Sequence, residues 1–238
     1  MRSNEPGGAG APGNSGNDGA SNPCGLSEAQ TKVRLTVFSD YVCPFCYLEE
    51  PDLARIDEAY GESVEIDRRA YELRPYPVPT LDPDAEYLHR VWDSAVYPIA
   101  SALGMTLNLP PVQPRSRRAL EAAEYARAEG GFPAMHDALF RAFFQEGRNL
   151  DDLETLLEIG GLAGLDREAL RRALDEGRYT EKVVADEELS KSLGVLSVPT
   201  VLVGRSDRPL EESEAVVGTQ TGNERLENAV ERVLREGA

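Results

Sequence analysis

Two cysteines separated by two residues, Cys43-Pro44-Phe45-Cys46, stand where an apolar run hands over to a helical pattern, and that junction admits few architectures. Thr31 to Phe38 is β-branched and aromatic, with Val33, Leu35 and Val37 alternating, which is a strand pattern. From Pro44 to Tyr60 the apolar positions Phe45, Leu48, Leu53, Ile56 and Tyr60 recur at mostly three- or four-residue spacing. Pro44 suits the first turn of that helix, Pro51 is expected to kink or break it, and Gly61 to stop it. Ser63 to Leu73 then supplies a second strand, ended by Arg74-Pro75. Strand, helix and strand in about 40 residues make a βαβ unit with parallel strands and a right-handed crossover.

Beyond it the pattern changes. From Asp82 to Leu193 the periodicity is helical: Asp82-Pro83 reads as a cap and first turn, and Leu88, Val91, Trp92, Ala95, Ile99 and Leu103 share one face, with a kink expected at Pro98. Ser116 is the expected cap of a helix reaching Glu129, and further helices are expected near 133–145, 151–159, 167–176 and 180–193. After Gly194, Pro199 to Val203 and Glu214 to Val217 return to strand, and Gly222 to Arg235 closes with an amphipathic helix. Strands at both ends and helices between them imply one α/β layer interrupted by a helical insertion. The divisions are 1–30, a tail rich in Gly, Ser, Asn, Pro and Ala expected to be disordered; 31–80, the first part of the α/β layer; 81–193, the insertion; and 194–238, the second part.

Thiol–disulfide exchange needs a nucleophile that is partly thiolate near neutral pH and a second thiol to release the mixed disulfide. The unpaired N–H groups and positive dipole end of a helix N-terminus favour the thiolate, and Cys43 falls there. Cys46 lies over the same face of the first turn, within disulfide reach and more shielded. A purely structural bridge is a poor staple at this spacing, contributing about 2 kcal/mol against about 4.7 for a loop of a hundred residues. Zinc requires about four ligands, and the chain offers only Cys24, His89 and His136 besides this pair, with no second CxxC. Phenylalanine at position 45 can give neither charge nor a hydrogen bond to the thiolate, so Cys43 is expected to be less acidic, and the disulfide less oxidising, than with histidine there.

The 42 acidic residues against 25 basic ones leave a formal charge of −17, which argues against nucleic acid or an anionic membrane as partner. Only Lys32, Lys182 and Lys191 are lysines. Such a surface suits a high-salt cytoplasm, and equally an ordinary solvated acidic face. No apolar run approaches the ~18 residues that span a bilayer. Residues 1–30 carry no secretory apolar core, so the expectation is a cytoplasmic, reducing compartment, where a CxxC pair is catalytic more often than structural.

Val42-Cys43-Pro44-Phe45-Cys46-Tyr47 after an apolar strand, the long helical insertion, and Gly194-Val195-Leu196-Ser197-Val198-Pro199-Thr200 before the third strand together resemble the DsbA family, and within it the FrnE-like branch. The resemblance covers about residues 31–236 and implies a thioredoxin-like α/β fold split by a helical domain. It implies a thiol–disulfide oxidoreductase with Cys43 and Cys46 catalytic and with Pro44, Phe45, Val198, Pro199 and Thr200 against the substrate. It also implies a cis bond at Val198-Pro199 facing the disulfide, and an exposed Val198 backbone able to pair with a bound peptide. No cofactor beyond the disulfide and no metal is implied; glutathione or thioredoxin is the expected electron partner.

One departure is Val37, six positions before Cys43, where many thioredoxins bury an acid. Proton transfer at Cys46 then needs water or Asp40, although Asp40 reads foremost as a turn-forming residue at the start of the helix. His89 and His136 read as packed or surface histidines; Trp92, Phe140, Phe143 and Phe144 read as core, some of them lining the groove under the insertion. Cys24 reads as a bystander thiol. Two other functions compete: a glutathione-dependent isomerase or transferase of the kappa-like type, whose members place serine where Cys43 stands, and a redox-inactive interaction module using the acidic surface.

Overall fold

The computed structural model describes residues 32–218 and 224–236. The tail 1–30 with Cys24, and the start of the last helix near Gly222, lie outside the described residues.

Four strands form one mixed sheet in the order β2-β1-β3-β4: β1 is Val33–Ser39, β2 Val64–Ala70, β3 Thr200–Arg205 and β4 Glu214–Val217. β1 and β2 are parallel, with Val33 opposite Val64 and Ser39 opposite Ala70, joined across one face by α1 (Pro44–Tyr60). β3 runs antiparallel to β1, with Val37 opposite Val201, and β4 antiparallel to β3. The alternation of β1 splits its side chains between two faces. Val33, Leu35 and Val37 meet Leu53 and Ile56 of α1 and Leu226 and Val230 of α9 (Glu224–Glu236). Phe38, on the other face, packs with Val195 and Leu202.

β2 stops at Ala70, three residues before the expected Leu73. The Tyr71 N–H still reaches the Ser39 carbonyl at 3.0 Å, but β1 has ended and no further rung is available. Pro51 lies inside α1 without dividing it; it removes the one N–H that would pair with the Tyr47 carbonyl.

Between β2 and β3 the chain is helical. The first run is α2 (Glu86–Val91), a π turn (Trp92–Val96) and α3 (Tyr97–Leu103). The π turn, with the Tyr97 N–H on the Trp92 carbonyl, directly precedes Pro98, whose missing N–H breaks the ordinary ladder at the place where a kink was expected. The helix begins at Glu86 rather than Asp82, because the Asp82 carboxylate is taken by the Asp84 N–H (3.0 Å) in a turn of its own. Then follow α4 (Arg117–Ala128), α5 (Phe132–Phe144), α6 (Leu153–Leu162), α7 (Arg167–Asp175) and α8 (Thr180–Ser192). Asp152 and Asp166 cap α6 and α7 through the Thr155 and Ala169 N–H groups.

The largest apolar cluster is shared between these helices and the start of α1. Tyr47 stacks on Phe140 at 5.0 Å and on Phe144 at 5.8 Å, and Tyr41 meets Phe140 at 4.9 Å. The aromatic residues of α5 therefore grip the turn and first helical turn that carry the cysteines.

Candidate active site

Cys43 is the N-cap of α1, extended at φ −95° and ψ 114°, with Pro44 opening the helix and no acidic residue in the first turn. The Asp40 carbonyl accepts its N–H at 3.1 Å, and its own carbonyl accepts the Cys46 N–H at 3.1 Å, so the chain winds tightly into the helix. Cys43 thus stands at the positive dipole end of α1, with no carboxylate in its first turn and no side-chain hydrogen bond to the helix N–H groups. Both cysteines are free thiols and buried, Cys43 4% exposed and Cys46 1%. Burial, then the hydrogen bond and charge of Cys43, push the Cys46 thiol well up, against smaller pulls from the Asp40 N–H and the Ser39 hydroxyl. Cys46, the more deeply buried of the two, is thus held toward its protonated form.

The second wall comes from 155 residues further on. The Cys43 thiol lies 3.6 Å from the Val198 carbonyl, and the Val198-Pro199 peptide is cis. Pro199 gives its carbonyl to the Gly218 N–H (2.9 Å), and the Thr200 hydroxyl donates to the Ser197 carbonyl (2.7 Å), which fixes this bend at the head of β3. Leu196, just before it, is 90% exposed.

A groove of about 280 Å³ runs past Cys43. Val42, Pro44, Phe45 and Val198 form its near side; Leu73, Arg74, Tyr87 and Gln113 its rim; and Trp92, Phe143 and Phe144 part of its floor. Of the residues read as substrate-facing, Pro44, Phe45 and Val198 therefore line it with Cys43, whereas Pro199 and Thr200 stand behind Val198. Trp92, Phe143 and Phe144 are core and groove floor at once, while Phe140 packs on Tyr41 and Tyr47. Arg74, Tyr87 and Gln113 carried no local signal, being ordinary residues of a loop, a helix and a proline-rich link.

Asp40 is fully buried. It forms the turn before Cys43 and caps no helical N–H: one oxygen accepts the Val42 N–H at 3.3 Å and the other the Leu73 N–H at 2.7 Å. Burial pushes its carboxyl up to about 7 in spite of both bonds. His136, on α5, is 8% exposed, and its Nδ1 lies 2.9 Å from the Tyr41 hydroxyl. Its Nε2 is 3.0 Å from Glu50, which also takes Arg68 at 2.6 Å. Although burial opposes it, the His136 and Arg68 partners hold the Glu50 carboxyl down to about 2. Only the sequence position of Tyr41, two residues before Cys43, could have hinted at this chain, and nothing near it in sequence marks His136 as its partner. His89 is exposed on α2. Among the described residues no three His, Cys, Asp or Glu side chains converge as a metal-binding set. Nor is any helix among them long and apolar enough to cross a membrane.

Residues 34–233 match the family model described as the DSBA-like thioredoxin domain. Protein YwbO of Bacillus subtilis, itself described as uncharacterized, is 32% identical over 180 residues, which are 72% of this chain and 87% of YwbO. The crystal structure of a probable DsbA oxidoreductase, SCO1869 from Streptomyces coelicolor, superposes with a TM-score of 0.71 at 25% identity, over 86% of this chain and 91% of that one. A 2-hydroxychromene-2-carboxylate isomerase superposes at 0.68 and 24% identity, covering 85% of this chain and 97% of its own. The cytosolic disulfide reductase DsbM from Pseudomonas aeruginosa, solved with GSH, does so at 0.60 and 23% identity, covering 85% and 99%. The last two likenesses concern the fold.

Proposed function

This chain belongs to the DsbA-like thioredoxin family, and on that premise we propose that it is a thiol–disulfide oxidoreductase, of the FrnE-like branch, working through Cys43 and Cys46 in the direction of disulfide reduction. The observation that carries the reading is the Cys43 thiol at a helix N-cap, 3.6 Å from the Val198 carbonyl, on the wall of a groove.

The Cys43 thiolate attacks one sulfur of a substrate disulfide held in the groove. A Cys43–substrate bond forms, the substrate S–S bond breaks, and the leaving sulfur takes a proton. Cys46 then loses its proton and attacks the Cys43 sulfur, closing the Cys43–Cys46 disulfide and releasing the second substrate thiol. Two electrons pass from the pair to the substrate, and a thiol donor such as glutathione or thioredoxin returns them. Val198 offers its backbone to the substrate and Pro44 and Phe45 contact it, with Pro199 and Thr200 holding Val198 in place.

Phe45 supports the reductive direction, since it gives the Cys43 thiolate no charge and no hydrogen bond and so leaves the disulfide weakly oxidising. That direction suits the cytoplasm, where thiols are kept reduced. The test is insulin reduction with glutathione or dithiothreitol as donor: turnover in the wild type and none in Cys43→Ser is expected, and activity surviving the substitution would sink the reading. Cys46→Ser should stall as a mixed disulfide visible by mass spectrometry.

A glutathione-dependent isomerase of the kappa-like type is the second reading, favoured by the likeness to 2-hydroxychromene-2-carboxylate isomerase. Its test is isomerisation of such a substrate by the Cys43→Ser variant, which this reading alone predicts.

A further inference from the structure

We propose that the groove ends in a carboxylate-binding corner built by Arg74 and Arg115, and that the substrate is accordingly a low-molecular-weight disulfide bearing a carboxylate. The inference rests on the oxidoreductase reading and gives that site a substrate class.

Arg74 lines the groove together with Cys43, and it also lines a recess of about 40 Å³ that adjoins the groove and is walled on its far side by Arg115. Both side chains are half-buried. Arg115 is fixed entirely by neutral partners: it donates to the Arg74 carbonyl at 2.9 Å and to the Val78 carbonyl at 3.1 Å, and its guanidinium lies over the Tyr76 ring at 5.4 Å. Arg74 donates only to the Pro79 carbonyl, at 3.5 Å. Among the described residues neither meets a carboxylate at ion-pair distance.

Most half-buried arginines elsewhere in the molecule are neutralised, Arg34 excepted, which is held by the Ser206 and Arg208 carbonyls at 3.3 and 2.9 Å. Arg117 is held by Glu72 and Glu187, Arg68 by Glu50, and Arg69 by Asp67 and Asp186. In a chain with 42 acidic residues, two pre-positioned guanidinium groups without a counter-charge at one recess leave room for an anion brought from outside. The remaining wall is uncharged and mostly apolar, with Leu73, Tyr87 and Trp92 beside the amide of Gln113, so the occupant has an uncharged body and one acidic end. The net charge of −17 repels an acidic macromolecule at long range, whereas a small anion needs only the local field of the corner. A small disulfide seated with its carboxylate on Arg74 presents its sulfur to Cys43 across the groove.

The experiment uses the full chain, reduced with dithiothreitol and desalted, so that its own two thiols supply the two electrons and end as the Cys43–Cys46 disulfide. Single-turnover rates are measured with 3,3′-dithiodipropionate and with the neutral 2-hydroxyethyl disulfide. In the wild type the acidic probe should react faster. In Arg74→Gln the ratio of the two rates should fall about tenfold, the worth of one charge-assisted contact. Arg74→Lys should recover part of it. An unchanged ratio in Arg74→Gln overturns the proposal, as does a loss confined to acidic protein disulfides.

A second readout involves no redox step. Trp92, the only tryptophan of the chain, lines the groove, so its fluorescence reports occupancy by the unreactive thioether 3,3′-thiodipropionate. Tighter binding of this diacid than of its dimethyl ester, lost in Arg74→Gln, supports the corner even if neither disulfide reacts, in which case the oxidoreductase reading alone fails. Equal binding of acid and ester overturns the corner whatever the redox assays show.

Discussion

The Asp40 carboxylate accepts the Leu73 N–H at 2.7 Å and, through its other oxygen, the Val42 N–H at 3.3 Å, so one buried side chain ties the near side of the groove to its rim. Asp40→Ala leaves both part-buried N–H groups without their partner, at a cost of about 1 kcal/mol each. The expected result is a lower urea midpoint together with a raised KM and a smaller change in kcat, because the rim loosens while the thiols stay on α1. Asp40→Asn, which keeps one accepting oxygen, should fall between. A kcat-only defect would contradict this role.

Glu49 carries a different liability. It is 5% exposed on α1, one carboxylate oxygen has no partner, and burial pushes its carboxyl up to about 7, with Asp52 and Glu50 adding to the rise. Its folded value lies above the ordinary carboxylate range, so the folded state holds the proton longer than the unfolded one. Stability from this group is complete below about pH 4.5 and drains away as pH climbs to about 7. Asp40 has the same sign over about pH 4 to 7. Urea titrations of Glu49→Gln should match wild type near pH 5 and show greater stability at pH 8; equal stability at pH 8 would remove the argument.

The bond between Tyr41 and His136 predicts coupling between the redox turn and the helical region. Tyr41→Phe should cost about 1 kcal/mol, the net worth of one hydrogen bond. His136→Ala should cost more, roughly 2–4 kcal/mol, since it also opens space between Phe132 and Phe140 and takes a partner from Glu50. A double-mutant cycle by chemical denaturation should then give a coupling energy clearly above zero. Glu50, held down to about 2, has the opposite sign to Glu49: its contribution is present above about pH 4.5 and is lost as pH falls toward 2.

Phe45→His should raise the reduction potential of the Cys43–Cys46 pair, because an imidazole at that position can stabilise the thiolate by charge or hydrogen bonding. Equilibration against glutathione buffers measures it directly. No rise would show that residue 45 does not set the potential of the pair.

These residues also divide into those a sequence displays and those it hides. The junction of β1, the cysteine pair and α1 was legible because strand alternation, Pro44 and the helical period are all local, within about 30 residues. The parallel pairing of β1 and β2 follows from the same stretch. The contacts that shape the groove are not local: Leu73 reaches back 33 residues to Asp40, and His136 pairs across 95 with Tyr41. No period or motif encodes which polar groups meet over such separations, so from sequence Asp40 reads as a turn former and His136 as a packed or surface histidine. That some of Trp92, Phe140, Phe143 and Phe144 line the groove was legible, but which of them do was not, since a helical stripe of aromatics looks the same whether it faces only core or also the floor of a groove.

The order in which a ribosome makes this chain follows from the separation between Cys43 and Val198. Cys43 and its helix are synthesised early, while Val198, which covers the thiol, and β3, which fills the sheet beside β1, come about 155 residues later. At translation rates of about 5–20 residues per second, that gap lasts roughly 8–30 s. Throughout it Cys43 travels beside an unpaired sheet edge and without its facing backbone. The groove around Cys43 is therefore complete only after Val198 and β3 have emerged, and pulse-chase trapping of nascent chains with a thiol reagent should catch Cys43 open until then.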